Sequence, residues 1–184
     1  MRIVSAGMGL RAGHVLSIFK ETMPEAEIVG YYDPQPDSIL GGDGATINND
    51  AAHNLIADQE FVGKPTASNI AQLRSGIEAC ANLRRQTPKF DDLEAMLAET
   101  KPDLFFVGSP NSFHLEHIKL GLAAGVRIFT EKPVVTTKED TMALAALLAE
   151  HGPGRVMVGL VLRYSQHMID LRAVLDALGP VVSL

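Results

Sequence analysis

The sequence predicts a doubly wound α/β domain, a mostly parallel sheet with helices on both faces, on three observations. Short apolar runs at residues 2–6, 27–32, 103–107, 126–130 and 155–162 are rich in Val, Ile, Leu, Phe or Tyr, without the polar alternation of a half-exposed strand. Stretches of helical length separate most of them, so strand and helix alternate as right-handed crossovers onto a parallel sheet require. The first run ends in a glycine turn, Gly7-Met8-Gly9-Leu10-Arg11-Ala12, which opens the first helix.

That turn matches the G-x-G-x-x-G/A pattern, and each small residue answers a steric demand. Gly7 permits the tight turn. Gly9 lets the backbone approach a pyrophosphate with no Cβ between them, and Ala12, backed by Gly13, lets the helix lie close on the strand. The amides at the helix start, with the helix dipole behind them, form an anion site that needs no lysine. Asp33 ends the second strand about 20 residues past the turn. A carboxylate there accepts hydrogen bonds from the adenosine ribose 2′-OH and repels a 2′-phosphate. The stretch therefore predicts a dinucleotide site that favours NAD over NADP. Two rivals share part of the pattern: an ordinary strand-to-helix turn with a surface aspartate, and a methyltransferase-type fold binding a nucleoside cofactor.

Composition narrows the partners. The 184-residue chain has the length of one domain, or one domain plus part of another. At this size folding removes about 70% of the unfolded surface from water. A net charge of −6 argues against a nucleic acid backbone or an anionic membrane as the main partner. Cys80 is the sole cysteine, so no internal disulfide forms, which fits a reducing cytoplasm. Apolar runs such as residues 142–149 fall short of the roughly 18 residues of a membrane span. The apolar start after Arg2 is broken by glycines and Arg11 before the core of an export signal can form. The expected location is the cytoplasm.

After Asp33, neither Pro34 nor Pro36 can continue a ladder, residues 41–50 read as loop, and residues 51–66 hold at most a short helix. Ser68 offers an N-cap for a helix over residues 68–85, with Ile70, Leu73, Ile77 and Cys80 on one stripe and Leu83 at its edge, the pattern of core packing. Residues 34–86 together read as a long insertion. The repeating pattern resumes at Phe90. Asp91 and Asp92 open a helix at the end where the dipole favours acids, and Lys101-Pro102 closes it. The strand over residues 103–107 is buried on both faces and runs into Gly108-Ser109-Pro110-Asn111, at the strand end where open parallel sheets hold ligands.

A helix over residues 114–124 stops at Gly125, and the strand over residues 126–130 delivers Glu131-Lys132-Pro133 to the same edge. A helix over residues 138–150 precedes the final strand, residues 155–162, which ends with Arg163 and Tyr164 on the ligand side. Ser165 caps a last helix to about residue 178. Residues 179–184 then start like a strand with no sheet to join. The dinucleotide-binding domain is therefore expected to span residues 1–164, and residues 165–184 to begin a second domain of a longer protein.

Four pieces in this order resemble the glucose-fructose oxidoreductase / inositol dehydrogenase / MocA oxidoreductases. They are the turn from Gly7 to Ala12, the loop Ser109-Pro110-Asn111 followed by His114-Leu115-Glu116-His117, the tripeptide Glu131-Lys132-Pro133, and the stretch from Gly159 to Arg163. The resemblance implies an NAD(P)-dependent oxidoreductase of a sugar, polyol or related hydroxyl compound. It also implies a carboxyl-terminal α+β domain, missing or barely begun here, that shapes the substrate pocket and mediates homo-oligomerisation. By resemblance Gly7, Met8, Gly9, Leu10, Arg11 and Asp33 hold the adenosine and pyrophosphate. Ser109, Pro110 and Asn111 line the nicotinamide half with His114 nearby. Glu131 contacts the ribose region, and Pro133 and Arg163 complete the cofactor site. Lys132 faces the reacting carbon as the catalytic residue. The family's Lys-Pro peptide can be cis.

A lysine suits that place because the hydroxyl proton must leave as hydride departs, and a group beside the oxygen must accept it or stabilise the charge. A free lysine is too basic for this near neutral pH, whereas burial and a positive nicotinamide ring both disfavour the ammonium form. The plainer alternative is a solvated lysine at a strand end. His114, Glu116 and His117 lack a third convincing ligand, so no metal is expected. Arg11 sits near the phosphates or on the exposed helix face, and His167 is expected to be exposed. Two other functions compete with dehydrogenation: a dinucleotide-binding module without chemistry, and a family member that recycles NAD in a non-redox net reaction such as glycoside cleavage.

Overall fold

The computed structural model describes residues 1–34 and 67–179. Strand β1 (Arg2–Ala6) leads through α1 (Leu10–Thr22) to β2 (Glu27–Tyr32), and α2 (Ala67–Gln86) leads to β3 (Lys89–Phe90). Then follow α3 (Leu93–Thr100), β4 (Leu104–Val107), a 3-10 turn (Asn111–Phe113) continuous with α4 (His114–Ala123), and β5 (Arg127–Thr130). Helix α5 (Lys138–His151) and a 3-10 turn (Pro153–Arg155) reach β6 (Val156–Val158), and a 3-10 turn (Val161–Tyr164) ends at α6 (Gln166–Leu178). The strands form one parallel sheet in the order β3-β2-β1-β4-β5-β6. The doubly wound α/β class expected from the sequence is the observed one.

Each apolar run is explained by two-sided burial. In β4, Phe105 packs with Met96, Leu97, Ile118 and Leu122 of α3 and α4, while its neighbour Phe106 packs with Leu16 and Leu83 of α1 and α2. Both rings are fully buried. Each contributes about 1.5–3 kcal/mol relative to exposure. Phe106 also stacks on Phe129 of β5 at 5.4 Å. Helix ends follow local chemistry: the Asp92 carboxylate accepts from the Ala95 N–H at 2.6 Å, and the Thr137 hydroxyl accepts from the Asp140 N–H at 3.0 Å. Gly125 beyond α4 takes a φ of 72°, the left-handed turn expected of a terminating glycine.

Three expectations need correction. The final strand is Val156–Val158 rather than residues 155–162, because the chain turns into a 3-10 helix after Gly159 and Leu160. Ser165 occupies the N-cap position of α6, but its hydroxyl donates back to the Leu162 carbonyl and caps no helix N–H. Residues 34–86 are not all insertion: α2 is the crossover from β2 to β3, a two-residue strand too short to leave a sequence signal. Ile77, Cys80 and Leu83 are buried as the stripe predicts; the side chains of Ile70 and Leu73, the loop and short helix expected within residues 35–66 and the strand expected beyond Gly179 lie outside the described residues. Helix α6 leaves Met168, Ile169, Leu171, Val174, Leu175 and Leu178 exposed.

Gly13 serves a different neighbour from the one expected. It is Ala12 that lies against the end of β4, its Cβ only 2.8 Å from where a Cβ on Gly108 would stand. A Cβ on Gly13 would fall 2.1 Å from Cys80 Sγ, so the missing side chain lets α1 and α2 touch. Burial, with Asp33 adding to it, pushes the Cys80 thiol up to about 11 from 9.0. At pH 8 this reduces the reactive thiolate about a hundredfold. Cys80 in the folded chain is expected to react with a disulfide reagent at least that much more slowly than in denaturant. Equal rates at pH 8 would contradict this packing of α1 on α2.

Candidate cofactor-binding site

The register sets the sequence-predicted pieces on one edge. Tyr32, Ala6, Val107, Thr130 and Val158 are paired across the sheet at the carboxyl ends of their strands. The ladder continues for one bond beyond each: Gly7 N–H to Tyr32 O at 2.7 Å, Gly108 N–H to Ala6 O at 2.9 Å, Glu131 N–H to Val107 O at 2.9 Å, and Gly159 N–H to Thr130 O at 2.8 Å. Asp33, the glycine turn, the Ser109 loop and Glu131-Lys132-Pro133 therefore leave the sheet side by side. Their centre is the β1–β4 junction, where strand order reverses and the crevice of a doubly wound sheet opens.

The turn itself is built for close approach. Gly7 has φ 82°, and a Cβ there would lie 2.7 Å from Gly108 O and Ser109 N. A Cβ on Gly9, by contrast, meets no atom of the described residues within 4 Å, which leaves the space above this residue to a ligand as far as they are concerned. Gly13 makes the first backbone bond of the helix, to Gly9 O at 2.8 Å, so the amides of Leu10, Arg11 and Ala12 stand at the open end of α1. These features fit a dinucleotide: an anion seat at a helix start with room for phosphate oxygens above a glycine.

The Met8 peptide groups are held from both sides. Its side chain is buried, its N–H donates to Asp33 Oδ2 at 3.0 Å, and its carbonyl accepts from Arg84 Nη1 at 2.8 Å. Arg84 comes from α2 and is 4% exposed; its guanidinium also lies 3.5 Å from Asp33 Oδ2 and 5.3 Å from the centre of the Tyr31 ring. The Cys80 thiol points at the Met8 and Gly9 carbonyls at 3.7 and 3.6 Å. Sequence reasoning missed Arg84. Its signal was present: Arg84 stands four residues past Cys80 on the apolar stripe, where a charged side chain is out of place unless it has buried partners.

Two histidines fix the loops after β4 and β5. His114 is fully buried, with Nε2 2.8 Å from Ser109 O and Nδ1 3.0 Å from Pro133 O. Both ring nitrogens thus tie the Ser109 loop to the loop after β5, which keeps His114 beside the expected nicotinamide half but beneath the surface. His117 Nδ1 lies 2.9 Å from Ser109 Oγ, and its ring stacks on Phe113 at 6.0 Å. Burial lowers the pKa of His117, Glu116 opposing and His114 assisting, so the ring stays neutral beside the serine. Pro110 and Asn111 are exposed at the loop tip.

Glu131 is buried and pairs with Arg11, Nε to Oε2 at 3.1 Å, a bridge from the start of α1 to the end of β5. The Arg11 side chain is 60% exposed, so the pair contributes at most about 1 kcal/mol and can open for a ligand. The peptide Lys132-Pro133 is cis. Lys132 is exposed, so the desolvation expected of it is not built by the described residues. Arg163 lies in the 3-10 turn beyond β6, exposed, and no hydrogen bond or ion pair joins its side chain to the set. His167 is exposed. Among the described residues no cluster of three or more His, Cys, Asp or Glu could hold a metal, and no helix is long and apolar enough to cross a membrane.

A glycine turn at the reversal point of a six-stranded parallel sheet, with an acid ending the neighbouring strand, defines a nucleotide-binding fold of the Rossmann class. The chain belongs to the oxidoreductase family with the NAD-binding Rossmann fold, the Gfo/Idh/MocA oxidoreductases, whose family model matches residues 44–160, well over half of its length. It is 30% identical over 131 residues to inositol 2-dehydrogenase of Paracoccus denitrificans, covering 69% of this chain and 38% of that one. With D-glucoside 3-dehydrogenase of Escherichia coli it shares 34% over 93 residues, 50% of this chain and 24% of the relative. The fold superposes on scyllo-inositol dehydrogenase of Lactobacillus casei, with bound NAD(H) and scyllo-inositol, at a TM-score of 0.61 and 17% identity. That match covers 96% of this chain and 41% of the other, so the chain spans well under half the length of these relatives.

Proposed function

We propose that the chain binds NAD along the carboxyl edge, adenosine toward Asp33 and nicotinamide toward Ser109 and Lys132. It thereby serves as the cofactor-binding part of a dehydrogenase acting on a hydroxyl carbon of a sugar or polyol. One observation carries the reading: the glycine turn, Asp33, the Ser109 loop and Lys132 leave adjacent strands at one edge, with no described residue filling the space above Gly9. The relatives' names and the neighbour's bound scyllo-inositol support the substrate class.

A bound nicotinamide would supply the hydride acceptor. The amides of the α1 start hold the pyrophosphate, and Asp33 takes the ribose hydroxyls. Lys132 receives the hydroxyl proton at Nζ, its neighbour Pro133 being tied through His114 to the Ser109 loop. Desolvation of Lys132 comes from the cofactor and from a second domain that begins near residue 165. The exposed apolar side chains of α6 and the 41% coverage of the solved neighbour support such a domain, which would also carry oligomer contacts.

The 184-residue chain is expected to give a saturable rise in NADH fluorescence with little turnover of any polyol. No rise at all would sink the reading. Robust dehydrogenase activity from this chain alone would remove the need for a second domain. Asp33→Ala is expected to weaken NADH about tenfold or more, the worth of a lost hydrogen bond to a charged group, and NADPH less. Equal losses for the two dinucleotides would take Asp33 out of the ribose role.

A further inference from the structure

We propose that His114 is a positioning residue for the reacting half of the site: from beneath the sheet edge it holds the Ser109 loop to the Lys132-Pro133 stretch, so that the nicotinamide seat and the lysine share one geometry. The inference rests on the dinucleotide reading above and goes beyond it by assigning the reacting half a residue that acts without touching the ligand. Three observations place it. The ring is 0% exposed, with Nε2 2.8 Å from Ser109 O and Nδ1 3.0 Å from Pro133 O; both partners are carbonyls, so in either contact the ring is the donor. The stretch after β5 has little else to hold it. Its last ladder bond is Glu131 N–H to Val107 O at 2.9 Å, and over residues 132–136 the contact with His114 is the one hydrogen bond made among the described residues. Ser109, finally, is held at its hydroxyl as well, with Oγ 2.9 Å from Nδ1 of His117, one turn further along α4.

The consequence is a division of the site by what braces each half. The adenosine and pyrophosphate end is held by Asp33 and Arg84, which grip the two sides of the Met8 peptide groups. The reacting end is held by the first turn of α4, through Ser109 and Pro133. Removing the donor at position 114 therefore frees the Ser109 loop from the Lys132 stretch and leaves the other end its own braces. A loop that the ligand must order subtracts that cost from the ligand's affinity. The cost falls on a ligand that fills the nicotinamide seat and spares one that stops at the pyrophosphate.

The experiment measures NADH and ADP affinity by calorimetry for the 184-residue chain, His114→Leu and His114→Gln. Leucine fills the space and donates nothing, whereas glutamine keeps an amide donor. His114→Leu is expected to weaken NADH about fivefold or more, the scale of one lost hydrogen bond, and ADP by less than about twofold. His114→Gln is expected to regain part of the NADH affinity, a rescue that filling the space does not give. Thermal melts confirm folding. Should neither variant fold, the ring N–H spectra of histidine-labelled wild type decide: NADH is expected to shift the His114 signals and ADP to leave them in place. Equal losses of NADH and ADP, no loss in His114→Leu, a glutamine variant no better than leucine, or His114 signals that respond alike to the two ligands would each overturn the role while leaving the dinucleotide site standing. A wild-type chain that binds neither ligand would overturn both.

Discussion

Gly7→Ala is expected to destabilise the chain by about 2–5 kcal/mol, whereas Gly9→Ala is expected to leave its stability within about 0.5 kcal/mol and to weaken NADH at least tenfold. The two glycines stand two residues apart, and their surroundings separate fold from function. At Gly7 an L-residue would hold φ 82°, at a cost of about 1–2 kcal/mol, and its methyl would lie 2.7 Å from the backbone of Gly108 and Ser109. Those atoms belong to the loop on β4 and cannot rotate away, so overpacking adds about 1–3 kcal/mol. At 2–4 °C per kcal/mol for a chain of this length, the melting point falls by roughly 4–20 °C. Gly9 has φ −67° and ψ 176°, extended backbone that alanine adopts freely, and a methyl there meets no atom of the described residues within 4 Å. The space it would fill is the space proposed for the pyrophosphate. A melt and an NADH titration on each variant check both halves. Gly9→Ala binding NADH as tightly as wild type would remove the phosphate seat from this turn.

What the sequence revealed and what it hid have the same physical origin. The strands over residues 2–6, 27–32 and 103–107 were legible because central parallel strands are buried on both faces and read as unbroken apolar runs. Strand β3 was illegible because it has two residues, Lys89 and Phe90, and its hydrogen bonds to β2 are made by backbone alone. The glycine turn was legible because its steric demands admit few residue types. Arg84 was hidden because its role depends on α2 packing against α1, which depends in turn on the absent side chain of Gly13 opposite Cys80. Likewise, the sequence pattern brought His114 to the right edge, but only the fold sets both ring nitrogens on the carbonyls of Ser109 and Pro133. Pattern identifies which residues reach the edge of the sheet; side-chain packing decides which face a ligand and which hold the others in place.

In a protein that carries the proposed second domain, Lys132→Met is expected to lower kcat by about 10²–10⁴, the range for loss of a positioned proton acceptor, with NADH affinity changed by no more than about threefold. The asymmetry follows from position: Lys132 lies past the end of β5, whereas the groups assigned to adenosine and pyrophosphate lie on β1, β2 and α1. Lys132→Arg separates two ways the lysine can act. An arginine keeps the positive charge but does not give up its proton in a protein, so it can stabilise a developing alkoxide and cannot accept the hydroxyl proton. If Lys132 accepts the proton, the Arg and Met enzymes are equally slow and both lose the acidic limb of the kcat profile. If it supplies charge alone, Lys132→Arg recovers most of the rate. Lys132 is exposed in this chain, so the contrast is expected only where the cofactor and the proposed second domain together exclude water from it. A Lys132→Met enzyme turning over at the wild-type rate would take the residue out of the chemistry and leave this edge a dinucleotide clamp.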